Sequence, residues 1–230
     1  MTSAIGRELR SSWKAILLAP ALFLFCSFAA AEQLDFRFIG NMAFHITDGS
    51  TSLLTDFPYT SGAFGYMKYS LTDTGPVRDG LCLITHAHAD HWDPALFSQT
   101  QYTIIAPPEI LTTINSGKKV PFERLMKYKN IRIEAFATPH KGEHYSYLVI
   151  WNGIRMFFTG DTEETTTLLS MKKLDVAFIS PWLLNSLKAR NARIDAKKVF
   201  VYHHTEKEAI VDYQNRIVPN QGDTFRIEGM

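Results

Sequence analysis

The sequence predicts an α/β domain, and three observations carry that prediction. Short apolar runs of strand length alternate with shorter helical patterns along the 230 residues. Polar residues able to do chemistry fall just past the carboxyl ends of those runs, where loops from separate strands converge on one cleft. Residues 32–230 suffice for one well-buried core and are too few for two comfortable ones, with no fixed-period repeat or low-complexity segment.

Residues 1–31 stand apart in composition. Arg7, Arg10 and Lys14 make a basic start, Ala15 to Phe28 form an apolar run broken only by Pro20 and Ser27, and Ala29-Ala30-Ala31 precedes Glu32. This is the layout of a secretory signal peptide cut after Ala31, which places the mature domain, 32–230, in the periplasm or outside the cell. The apolar run of about 14 residues is shorter than the roughly 20 that span a bilayer, so no stable membrane span is expected after processing. Cys26 lacks the small preceding residues of a lipid-attachment site. Loss of Arg7, Arg10, Lys14 and Glu8 from 24 basic and 23 acidic residues leaves a net charge of about −1, so there is no electrostatic case for a nucleic-acid partner. Cys82 is then the only cysteine, which rules out an internal disulfide and fits a buried packing role.

Strand-like runs follow at 34–40, 43–47, 51–57, 81–85, 102–106, 131–137, 146–151, 154–159, 175–180, 199–202 and 224–228. Helical patterns occupy 94–99, 107–116, 165–172 and 205–214, the last opened by Thr205 and Glu208 in a capping-box spacing. His45, in an early strand, reads as a hydrogen-bonded core ring. Asp56 is either an acceptor that orients a ligating imidazole or a turn residue before Pro58. The aromatic, glycine-punctuated segment 57–69 is either a flap over an apolar substrate or a loop anchored by its own rings. Trp92 and Trp182 read as packing residues, and Lys188, Arg190 and Arg193 as a solvated helix face rather than an anion site.

The run Leu81-Cys82-Leu83-Ile84 leads into Thr85-His86-Ala87-His88-Ala89-Asp90-His91-Trp92-Asp93. Side chains two apart on an extended chain point the same way, so His86 and His88 can grip one cation. Asp93-Pro94 predicts a turn that swings Asp90 and His91 toward a second. The later runs end in Thr138-Pro139-His140-Lys141-Gly142-Glu143-His144, in Thr159-Gly160-Asp161, and in His203-His204-Thr205. If the alternation of Val199 and Val201 continues, His203 shares their face and His204 points away.

HxHxDH followed by His, Gly-Asp and His resembles the metallo-β-lactamase fold superfamily over roughly residues 34–228. Gly40-Asn41 and Leu54-Thr55-Asp56-Phe57-Pro58 look most similar to its ascorbate-phosphate lactonase-like branch of metal-dependent hydrolases. The resemblance implies a four-layer αββα sandwich of two mixed sheets. It also implies that His86, His88 and His140 hold one metal, that Asp90, His91 and His203 hold another, and that Asp161 bridges them. His140 is preferred to His144 because it follows the strand and Pro139 directly, as the family's third motif does, while His144 and His204 are left in outer or uncertain roles.

Imidazole and carboxylate donors without thiolate suit two divalent cations, Zn²⁺ by preference and Mn²⁺ or Fe²⁺ acceptably. Relatives with a di-iron redox centre resemble HxExDH, whereas Ala87-His88-Ala89 lacks that Glu, which points to hydrolysis. Two cations can lower the pKa of a shared water, and the hydroxide so made is the expected nucleophile, with Asp90 orienting it and accepting its proton. The leaving group is protonated by water, or by His144 if that ring faces the cleft. An ester, lactone, amide or phosphodiester in a small or amphiphilic molecule fits this chemistry. A metal-binding or sensing protein without turnover, or a nuclease, is the alternative. Oligomeric state is not readable.

Overall fold

A computed structural model describes residues 33–115 and 118–229; the signal-peptide expectation lies outside them. The chain runs β1 (Gln33–Gly40), β2 (Ala43–Thr47), β3 (Ser52–Thr55), β4 (Gly80–Leu83), α1 (Pro94–Phe97), β5 (Thr103–Ile105), α2 (Pro108–Thr113) and β6 (Lys118–Lys119). It continues through β7 (Leu125–Tyr128), β8 (Ile131–Ala137), β9 (Tyr145–Trp151), β10 (Ile154–Phe158), α3 (Thr166–Ser170), β11 (Leu174–Ile179), α4 (Pro181–Ala189), β12 (Ala196–Val201), β13 (Arg216–Ile217) and β14 (Thr224–Glu228).

Two seven-stranded sheets result, ordered β14-β1-β2-β3-β4-β5-β6 and β13-β12-β11-β10-β9-β8-β7. Both are mixed: β3, β4, β5 and β6 pair in parallel in the first, and β10, β11, β12 and β13 in the second. Parallel strands need both faces covered, and the sequence supplies apolar residues for both. In β11, Val176 and Phe178 face the other sheet, while Ala177 and Ile179 face outward under Leu183, Leu184 and Leu187 of α4. Between the sheets, Phe178 stacks on Phe158 at 4.3 Å and on Phe200 at 5.4 Å, and Phe44 meets Phe178 edge-on at 5.0 Å. Outside the first sheet, Leu54, Cys82, Ile84 and Ile104 pack against Phe97 of α1 and Ile110 of α2, and Trp92 lies 5.1 Å from Phe97. Burial pushes the Cys82 thiol well up, in keeping with a packing role. Helices outside two face-to-face sheets make the expected four layers, although the helical layers are thin.

Several element expectations need correction. Residues 205–214 form no helix. Half of the capping box is present, Glu208 accepting the Thr205 N–H at 3.2 Å, yet no helix propagates from it. Ile210, Val211 and Tyr213 all pack on the outer cluster of the second sheet, and the Tyr213 hydroxyl donates to the Ala192 carbonyl at 2.9 Å. Those tertiary anchors hold the segment in an irregular path and override the local signal. Conversely, α4 is the longest helix described, expected only as a solvated face at Lys188, Arg190 and Arg193 and given no range; Pro181 in its first turn and Leu183, Leu184 and Leu187 on one side mark it. Lys188, Arg190 and Arg193 are exposed at and just beyond its end, as a solvated face requires. The strands β6, β7 and β13 were also not anticipated; β6 and β13 have two residues each, too few to show a period.

Candidate metal centre

The loop after β4 is set by Asp56. This residue leaves β3 in the left-handed region (φ 41°), and its buried carboxylate accepts the Thr85 N–H at 2.7 Å and the Thr85 hydroxyl at 3.0 Å. Because that hydroxyl donates to Asp56, it accepts from His86 Nδ1–H at 3.0 Å. The His86 lone pair is therefore on Nε2, which lies 2.9 Å from His88 Nδ1 and 3.7 Å from Asp161 Oδ2. The chain then turns as predicted: the N–H groups of His91 and Trp92 both donate to the His88 carbonyl at 2.9 Å. This rotates Asp90 and His91 inward, both buried, and puts His91 Nδ1 3.3 Å from Asp56 Oδ2. Asp56 thus sits behind two histidines of the cluster rather than merely ending a strand.

The second sheet brings its residues from the ends of β8, β10 and β12. His140 Nε2 lies 3.4 Å from His88 Nδ1 and 3.9 Å from Asp161 Oδ2. His203 Nε2 lies 3.2 Å from His91 Nε2, from Asp90 Oδ2 and from Asp161 Oδ1. Two groups of possible ligands result, His86, His88, His140 and Asp161, and Asp90, His91, Asp161 and His203; within each, one donor atom per residue lies within 4.8 Å of the others. Asp161 belongs to both.

The reason given for His203 needs revision. It does not extend the alternation of β12 but turns out of it at φ 56°, with its N–H donating to the Asn41 carbonyl at 2.8 Å. His204 faces the other way, stacked 5.8 Å from Phe38 with Nδ1 donating to the Thr205 carbonyl. His144 lies behind the cluster, 3% exposed, and its Nε2 accepts the Asp161 N–H at 2.9 Å. It does not face the cleft, so it has no part in protonating a leaving group.

The donor set fits divalent cations. Ring nitrogens of His91 and His203 confront each other with carboxylates around them, and buried Asp161 Oδ1 faces only the His203 Nε2 at 3.2 Å. A buried carboxylate oxygen is costly unless positive charge faces it. Electrostatics agree. Burial alone would raise Asp90 and Asp161, but the neighbouring His91 and His203 outweigh it and hold both carboxyls well below their usual range. Burial likewise opposes charge on His91 and His203, yet Asp161 lifts both. Burial, reinforced by His91, keeps His86 neutral, and burial lowers His140. The buried carboxylates thus draw positive charge toward His91 and His203, a demand that divalent cations could meet, and nitrogen and oxygen donors without sulfur suit Zn²⁺, Mn²⁺ or Fe²⁺.

Above the groups opens a cleft of about 310 Å³ whose rim includes Phe64, Tyr66, Glu163 and Trp182. Tyr66 and Trp182 meet the His203 ring edge-on at 4.4 and 4.8 Å, so Trp182 does more than pack the core. Segment 57–69 is a loop anchored by its own rings that also reaches the cleft rim. Tyr59 and Tyr69 anchor it through hydroxyl bonds to the Met67 and Tyr59 carbonyls, while Phe64 stands 76% exposed at φ 52° between left-handed Gly62 and Gly65. Asn41 was not singled out. Fully buried at φ 50° in the β1–β2 turn, it donates from Nδ2 to the Asp90 carbonyl at 2.7 Å as well as accepting from His203. The Gly-Asn pair, suited to a left-handed turn, was its one available signal.

Comparison with known proteins agrees with this picture. Residues 35–181 match the beta-lactamase superfamily domain, a stretch that includes every residue of the two groups except His203. A UPF0173 metal-dependent hydrolase of Deinococcus radiodurans is 27% identical over 164 residues, 64% of this chain and 71% of that protein. Among solved structures, Igni18, a metallo hydrolase of the archaeon Ignicoccus hospitalis, aligns with a TM-score of 0.69 at 18% identity, over 86% of this chain and 100% of its own. YhfI of Bacillus subtilis, a metallo-beta-lactamase fold protein, aligns at 0.66 with 16% identity, over 85% and 99%.

Proposed function

The chain belongs to the beta-lactamase superfamily, and from that premise we propose that it is an exported hydrolase that uses two divalent cations, Zn²⁺ by preference, to cleave an ester, lactone, amide or phosphodiester bond in a small or amphiphilic substrate. One observation carries the reading: two four-residue groups of nitrogen and oxygen donors share Asp161 at the floor of one cleft. The metal-dependent hydrolase among its relatives supports it.

His86, His88 and His140 would hold one cation, Asp90, His91 and His203 the other, and Asp161 both. When bound, such cations act as Lewis acids, lowering the pKa of a coordinated water from 15.7 to about 7 and stabilising negative charge on a substrate oxygen. Everything else falls to the protein. Asp90, buried within 3.5 Å of His91 and His203 at the cleft floor, would orient the attacking water and accept its proton. Burial pushes the Tyr66 hydroxyl up to about 12, so it stays protonated and serves as a donor at the cleft wall. Phe64, Tyr66 and Trp182 offer an apolar rim, and no Lys or Arg lines the cleft among the described residues. That favours an uncharged ester or lactone over a phosphodiester, and a lactone also tests the lactonase-like branch.

Elemental analysis of the purified chain, followed by a panel of esters, lactones, amides and phosphodiesters with wild type and Asp90→Ala side by side, tests the proposal. Two divalent cations per chain and a chelator-sensitive activity lost in the variant are expected; a chain that takes up no divalent cation sinks it. Export rests on residues 1–31 and is tested by fractionating cells that express the chain with and without them. Among the described residues, no helix is long and apolar enough to cross a membrane.

A further inference from the structure

Behind the ligand groups, a chain of hydrogen bonds grips the loop that carries Asp161 at both ends. The Asp161 backbone N–H can only donate, so His144 Nε2, 2.9 Å away, holds the lone pair. The neutral ring then carries its proton on Nδ1, which donates to Thr138 Oγ1 at 2.9 Å. Ser146 Oγ donates to the Thr159 carbonyl at 2.7 Å, which leaves it to accept the Thr138 hydroxyl at 3.0 Å. Every proton in the series has one direction. It starts at Asp161 and ends at Thr159, on either side of Gly160.

Gly160 shows how tight the fit is. A Cβ there would stand 2.3 Å from His144 Nε2, and the residue is left-handed at φ 63°. Only glycine lets the ring approach the loop this closely, and its own N–H is tied to the Tyr202 hydroxyl at 2.8 Å. His144 contributes no donor atom to either ligand group, and its buried ring has no route to substrate.

We propose that His144 is a positioning residue for the metal centre: its Nε2 lone pair holds the Asp161 N–H and so aims the carboxylate that the two ligand groups share. Resting on the two-cation reading, this assigns His144 to neither group while making both depend on it. A residue that merely fills space would affect folding of the metal-free chain; a positioning residue affects how cations are held.

The test uses the full chain, titrated with Co²⁺ and Zn²⁺, for wild type, His144→Gln and His144→Met. Gln offers an amide oxygen near the place of Nε2, whereas Met fills the volume without a comparable acceptor. The Met variant is expected to bind both cations about 10- to 100-fold more weakly, as loss of an outer partner does, and to shift the visible spectrum of bound Co²⁺. Gln is expected to restore most of both. Unchanged Co²⁺ affinity and spectrum in the Met variant overturn the proposal, even if the metal-free chain melts earlier. Failure of wild type to bind either cation overturns the two-cation reading itself. Should the Met variant not fold, Thr138→Val keeps the ring and removes the acceptor that fixes its proton; about tenfold weaker Co²⁺ binding is expected, and wild-type binding rejects the proposal.

Discussion

Two regions of this molecule bury histidine, and they do so in opposite ways. His45 in β2 is 5% exposed beside a cavity of about 480 Å³, larger than the cleft over the ligand groups. Nδ1 donates to the Thr74 carbonyl and Nε2 accepts from the Ser52 hydroxyl, both at 2.8 Å, so the ring has nothing left to offer. At the other site, His91 and His203 turn Nε2 atoms toward each other at 3.2 Å beside the Asp90 and Asp161 carboxylates, and His203 Nδ1 has no hydrogen-bond partner. Neither burial nor cavity size separates the two regions. Satisfaction does: a ring completed by protein is structural, and rings whose Nε2 atoms converge among carboxylates form the arrangement that a cation would complete.

The largest break in that contrast comes from Asp161→Ala. It should weaken Zn²⁺ binding at both groups by more than about 100-fold, exceeding the loss of an outer partner, and abolish hydrolysis. His45→Ala should leave the Zn²⁺ stoichiometry unchanged and cost about 1–3 kcal/mol in a urea melt, because it strands two buried partners. Next, Asp90→Asn should lower kcat by about 10²- to 10⁴-fold, the usual share of a proton acceptor, while the metal content of the first group stays intact. Chelation comes third. At a cation concentration 100 times Kd, binding stabilises by about 2.7 kcal/mol per site, so removing one cation should lower Tm by about 5–10 °C for a domain of this size. Elemental analysis and thermal melts before and after dialysis check both points.

The smallest effect belongs to pH. Burial first, and Arg37 after it, lower the His45 pKa, while its bond to Thr74 pulls the other way. A ring kept neutral in the fold but free to protonate at about 6.5 when unfolded contributes fully above that value. Its contribution is lost progressively as pH falls below about 6.5, at no more than about 1.4 kcal/mol per unit. His45→Gln should flatten that part of the stability profile relative to wild type; identical slopes would count against the assignment.

How much of this was legible in the sequence depended on how local the cause is. The packing of His86, His88, Asp90 and His91 into one segment shows in six positions, because an extended pair followed by a turn is short-range geometry. His140 and His144 share one loop, and although the position after Pro139 favours His140, the role of His144 depends on the Asp161 N–H, 17 residues beyond it. The family resemblance points to a histidine at 203–204, but the strand alternation that favours His203 over His204 is not followed; His203 is turned by a contact with the carbonyl of Asn41, 162 positions away. The missing helix at 205–214 has the same origin, a capping signal outweighed by Ile210, Val211 and Tyr213 finding distant partners. In the fold, strand runs were readable wherever both faces are apolar, as in β11, and invisible where two residues make a strand.

Each ligand group takes two residues from the loop after β4 and two from loops of the opposite sheet. Half of the sandwich, however well folded, therefore presents an ion with an incomplete grip. Ion capture would therefore report that the halves have met, and a captured ion would rivet the seam between them.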